Sequence, residues 1–200
     1  MGTIEIITRM ANPPEDLVAK YTRKEREFFF DYASFVLRLI DSPELREKLR
    51  QLLEVENIRV SRTIDMRVMV FPARPLRGRL RSVLHGSYNQ DSAQISLYPL
   101  KTSRDWIRHE GYSLFRLPPR ELSHSQQKTL REVSLSAIST LIHEVLHVKF
   151  ETRNLSRYAE EAIVRKLERK YADEWIETLP QVTVRLPQGI ESEHLIEGSR

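Results

Sequence analysis

The chain has 200 residues, 40% of them hydrophobic, which suits one domain or a core domain with an extension. It contains no cysteine, so disulfides, thiolate nucleophiles and thiolate metal ligands are excluded, and any metal must be held by His, Asp or Glu. The net charge of +4 is modest, no charge-free apolar run reaches the length of a membrane span, and residues 1–12 lack a secretory pattern. The expectation is a cytoplasmic protein with no membrane insertion.

Residues 1–22 form a lead segment in which Ile4, Ile6 and Ile7 can make a strand. Residues 23–40 read as a helix, with Phe28, Phe29, Tyr32, Phe35, Val36 and Leu39 on one broad apolar face. Ser42-Pro43-Glu44 reads as the N-cap and first-turn proline of a second helix running to about Leu53. The pair is packing material or, alternatively, an aromatic-rich partner surface. Residues 1–57 are therefore expected to be an N-terminal helical extension and 58–200 the main domain, unless the whole folds as one compact unit.

Strand material follows over 58–71, at Ile58, Val60, Met66, Val68, Met69, Val70 and Phe71. A Pro/Gly/Arg loop over 71–81 carries Arg74, Arg77, Arg79 and Arg81. It reads as a solvated loop, with a patch for nucleic acid or an acidic partner as the alternative. Residues 83–88 and 93–98 read as two short strands joined by a turn at Asn89-Gln90-Asp91-Ser92. Residues 101–125 are an irregular connection, either a lid or a folded insertion.

The next segment carries the chemistry. His143-Glu144-Val145-Leu146-His147 reads H-E-x-x-H. On a helix the two imidazoles fall one turn apart on one face, able to grip one metal ion, and Glu144 is rotated by about 100° from His143. The flanks Val133, Leu135, Ala137, Ile138, Leu141, Ile142, Val148 and Phe150 make the helix apolar nearly all round, hence buried. Two His and a Glu in such a helix are costly unless paired or bound to metal.

A catalytic zinc takes three protein ligands. Asn154-Leu155-Ser156 reads as a short loop and N-cap, and a further helix runs from about 157 to 177. Its apolar stripe is Ile163, Val164, Leu167, Tyr171 and Trp175. Glu160 falls at the centre of that stripe, and Glu161 is displaced toward Arg165 and Glu168 on the polar side. Glu160 is favoured as third ligand, with Glu161 as the alternative. Residues 178–200 read as a tail in which 182–186 can form a strand.

H-E-x-x-H followed by a helical Glu resembles the gluzincin metallopeptidases. Ser156-Arg157-Tyr158-Ala159-Glu160-Glu161-Ala162 is similar to the S-R-x-x-E segment of HtpX-type members and to the E-x-A segment of ImmA/IrrE-type peptidases, and the small minigluzincins are similar in scale. The resemblance covers roughly 86–177. It implies an α+β, zincin-like fold: a small mixed sheet packed on an active-site helix and a following glutamate helix, with an edge strand that receives substrate. It also implies one Zn²⁺ per chain on His143, His147 and a Glu, and hydrolysis of a peptide or protein by a metal-activated water with Glu144 as general base. The aspartate that often follows the ligand Glu by four residues is absent, since Val164 stands there, so the group orienting a ligand His is unidentified. Tyr88, His109, Tyr112, Tyr171 and His194 are candidates for a transition-state donor, with none preferred. The rival expectation is a zincin-fold regulatory or binding protein, associated with nucleic acid or stress, with little general peptidase activity.

Overall fold

The structure, a computed structural model, describes residues 5–58, 63–74, 84–151 and 155–178, with side chains to 175. It is a mixed α+β fold built on one four-stranded sheet. In chain order the elements are β1 (Ile6–Ala11), α1 (Glu15–Val18), α2 (Arg23–Ile40), α3 (Pro43–Val55), β2 (Ile64–Met69), β3 (Gly86–Asn89), β4 (Gln94–Leu97), α4 (Arg104–Glu110), a 3-10 turn (Pro119–Glu121), α5 (His124–Val148) and α6 (Arg157–Thr178). No described helix is long and apolar enough to cross a membrane.

The sheet order is β1-β2-β4-β3, with β1, β2 and β4 parallel and β3 antiparallel to β4 at the edge. Strand periodicity divides it into two faces. Register places Met10, Val68, Leu97 and Gly86 in one row and Thr8, Met66, Ile95 and Tyr88 in the next, on the side that α2 and α5 cover. The opposite side carries Arg9, Asp65 and Arg67, where Asp65 accepts from both arginines at 2.7 Å.

Strand pairing crosses the expected division at 57/58. The N-terminal residues supply a sheet strand paired with β2, and α2 packs on β1, β2 and α5. β1, α2 and α3 share one continuous core with the described elements that follow. The aromatic face of α2 is interior: Phe28, Phe29, Tyr32, Phe35 and Val36 are all buried, which removes the partner-surface reading. A capping box between Thr22 and Glu25 opens this helix, and Glu25 also accepts from Arg104 at 2.7 Å, tying the start of α2 to the start of α4.

Residues 101–125 are a folded insertion. Ile107, Leu114 and Phe115 are buried, and Phe115 stacks edge-on against Phe28 and Tyr32. None of these residues lines the cleft described below, so the lid reading falls. Arg77, Arg79, Arg81 and the 182–186 segment lie outside the described residues.

Glu56, just past the end of α3, ties α5 to α6. Its carboxylate accepts from Lys149 Nζ at the end of α5 and from Tyr171 Oη on α6. Burial alone would raise this carboxyl, but the bonds from Lys149 and Tyr171 outweigh it and hold it below the usual 4.5. A group with a lower pKa folded than unfolded stabilises fully above the unfolded value and loses its contribution as pH falls through the folded one. Glu56→Gln is expected to cost about 1–3 kcal/mol near neutrality. In urea titrations the gap from wild type should narrow as the pH falls below about 4.

Candidate metal centre

α5 is entered through a capping box between Ser123 and Gln126 and crosses the molecule under the sheet. Leu141, Ile142, Val145 and Leu146 are fully buried around it, which places His143, Glu144 and His147 in an apolar setting with one side facing a cleft. Ser156 Oγ accepts from the Ala159 N–H at the entrance to α6, which runs back along α5. This packing brings the carboxylates of α6 against the imidazoles of α5.

Each imidazole is held at both nitrogens. His143 Nδ1 lies 2.9 Å from Glu168 Oε2, and Glu168 Oε1 accepts from Ser139 Oγ at 2.5 Å. His147 Nδ1 lies 2.6 Å from Glu160 Oε1. Carboxylates accept, so each Nδ1 carries a proton and each neutral ring turns a bare Nε2 lone pair the other way. Those two Nε2 atoms face each other at 3.2 Å. Two lone pairs at that distance repel unless a cation, a proton or a metal ion, lies between them.

Glu161 supplies the third group. Its Oε2 lies 3.7 Å from His143 Nε2 and its Oε1 3.6 Å from His147 Nε2. One ligand atom from each of His143, His147 and Glu161 lies within 4.8 Å of the others, so this group could hold a metal ion. Two ligands of a tetrahedral zinc, each about 2.05 Å from it, stand about 3.3 Å apart, so the residues fit one small divalent ion. An N₂O donor set without thiolate suits zinc.

This corrects the expected phase of α6. Glu160 is on the far nitrogen of His147, not in the group that converges on the two Nε2 atoms. Glu168, assigned to the polar side of the helix, supplies the orienting carboxylate for His143 that the missing aspartate left unexplained. A signal was available in the spacing. Glu161 and Glu168 are two turns apart and therefore on one face, so a ligand at one places the other over the same imidazole pair.

Glu144 is 6% exposed and has no hydrogen-bond partner among the described residues. Burial pushes its carboxyl up to about 7, with Glu161 and Glu168 adding to the rise and His143 opposing it. The His143–Glu168 bond raises the imidazole above its ordinary value. The backbone of β3 closes over Glu144. A Cβ placed on Gly86 would come 2.5 Å from Glu144 Oε1 and 2.6 Å from Thr140 Cγ2, closer than real side chains approach. Glycine is needed there because an edge strand lies directly on the helix.

The cleft beside these residues has a volume of about 1010 Å³, with β3 on one side and α6 on the other. Of the proposed donors only Tyr88 lines it. Its hydroxyl is buried and without a partner among the described residues. His109 pairs with Glu110, Lys24 lies over the Tyr112 ring, Tyr171 is engaged by Glu56, and His194 lies outside the described residues. His85 lines the cleft and was not singled out, although it immediately precedes the glycine that meets Glu144. Compared with family models, curated proteins and solved structures, the chain matches none of them.

Two outcomes follow from this geometry. Glu161→Gln should weaken metal affinity more than Glu160→Gln, which removes only an orienting bond and should cost on the order of 10–100-fold. Competition with a chromophoric chelator measures both. Gly86→Ala should lower stability by about 1–3 kcal/mol in chemical denaturation, because the added methyl meets Thr140 Cγ2 and the Glu144 side chain and forces strand or side chains to shift.

Proposed function

We propose that the protein is a zinc-dependent peptidase of zincin type. The observation that carries this reading is the pair of Nε2 atoms turned toward each other at 3.2 Å, with the Glu161 carboxylate beside them and each Nδ1 committed to a carboxylate of α6. His143, His147 and Glu161 would hold one Zn²⁺, and Glu160 and Glu168 fix the ring orientations. When bound, the ion supplies Lewis acidity, which acidifies water and polarises a carbonyl.

The remaining chemistry belongs to this chain. Glu144 is the general base. It sits one residue from His143 with a carboxylate free of other bonds among the described residues, and burial keeps its affinity for a proton high. It takes a proton from the attacking water and returns it to the leaving amine as the peptide bond breaks. Among the described residues no strand pairs with the outer edge of β3, and Gly86, Ser87 and Tyr88 of β3 line the cleft. An extended peptide can add there by backbone hydrogen bonds, which holds its carbonyl near Glu144 without demanding a particular side chain.

Purified protein is expected to carry about one zinc per chain by elemental mass spectrometry, and His147→Ala to lose it. Glu144→Gln should keep both zinc and fold while hydrolysis of a mixed peptide library falls by about 10²–10⁴-fold. A wild type that binds zinc and cleaves nothing in the library, or a Glu144→Gln variant as active as wild type, overturns the reading.

A further inference from the structure

The helix that supplies Glu161 also lines the cleft with Arg157, Arg165 and Arg169. Arg165 Nε lies 3.6 Å from Glu161 Oε2 and is committed to that carboxylate. Arg157 and Arg169 have no hydrogen-bond or ion-pair partner among the described residues, and both are exposed. Arg157 stands one turn before Glu161 and Arg169 two turns after it, so they lie about 6 Å and about 12 Å from it along the helix axis, on opposite sides. A guanidinium is a planar fork that matches a carboxylate, and two such forks flank the centre in one open groove.

We propose that Arg157 and Arg169 select acidic peptides, each guanidinium pairing with an Asp or Glu side chain on one side of the bond presented to Glu144. The assignment of sides rests on the peptidase reading, but the selection is a property of binding alone. The arginines are about 18 Å apart along the axis, which an extended peptide spans in about five or six residues. Peptides with two acidic side chains at that spacing fill both forks. Leu84 and Leu155, exposed at 50% and 38%, add apolar surface to the same cleft. A nucleic acid fits less well. Glu144, Glu160, Glu161 and Glu168 line the same groove, and a continuous phosphate chain would have to cross them.

The test uses the zinc-loaded full chain carrying Glu144→Gln, so that binding is read without turnover. Fluorescein-labelled peptides of about twelve residues, built from Ala, Ser and Leu with two Glu about five residues apart, are compared by anisotropy with the same peptides carrying Gln. The Glu peptides are expected to bind at least about tenfold tighter at low salt, the preference to shrink at high salt, and the added substitutions Arg157→Glu and Arg169→Glu to abolish it with zinc content unchanged. Equal binding of the two sets, no binding of either, or a preference that survives both substitutions overturns the proposal. So does tighter binding of single-stranded DNA through the same two arginines. The activity reading is scored separately on the wild type. Cleavage of the library without acidic preference leaves the peptidase standing and removes the arginine selection, whereas arginine-dependent binding with no cleavage does the reverse.

Discussion

Two imidazoles one turn apart in an apolar helix cannot be left to themselves. Each has two nitrogens, and water reaches them from the cleft side only. α6 answers at three points with Glu160, Glu161 and Glu168, and most other features of the site follow from that packing. The rings are locked because their Nδ1 protons are claimed. The Nε2 atoms converge because the locked rings have nowhere else to turn. The centre is thus a property of a helix–helix interface, and whatever holds α5 against α6 holds the chemistry. Glu56 does so from outside, with one carboxylate gripping Lys149 on one side and Tyr171 on the other.

The sheet contributes differently. Its edge strand gives the site a lid of backbone over Glu144, and glycine at position 86 lets that backbone come close. A carboxylate pinned between strand and helix, out of water and without a donor among the described residues, keeps its proton affinity high.

Much of the site was legible because helix geometry is local. H-E-x-x-H fixes a one-turn spacing whatever the rest of the chain does, and the surrounding Val, Leu and Ile announce burial. The choice between Glu160 and Glu161 was not legible in the same way. Both lie within 100° of each other on α6, and which one meets the imidazoles depends on how two helices cross, a quantity no residue encodes alone. Reading the apolar stripe as the line of contact put Glu160 at the centre, but Ile163 of that stripe is exposed, Val164, Tyr171 and Trp175 are buried, and Glu160, Glu161 and Glu168 all line the cleft. Glu168 was missed for the same reason. The N-terminal residues were misplaced because β1 pairs in parallel with β2, whose Ile64 lies opposite Ile6 across the whole α2–α3 segment. Nothing near Ile6 in the chain announces that partner. The insertion at 101–125 hid its packing because Ile107 lies on a seven-residue helix while Leu114 and Phe115 lie in the turn after it, so no single element carries the set.

The imidazoles and the carboxylates that meet them lie between Ser139 and Glu168, on two helices consecutive in the chain. The sheet, by contrast, must join Ile6 to Ile64 and Met66 to Ile95. Closing a short loop between neighbouring helices costs little chain entropy, and long-range parallel pairing costs more and forms later. The α5–α6 hairpin is thus the part of this topology best suited to nucleate early. The three side chains that could hold an ion are then brought together before the sheet that shapes the cleft is complete, so assembly of that group and assembly of the groove beside it are separable events in time.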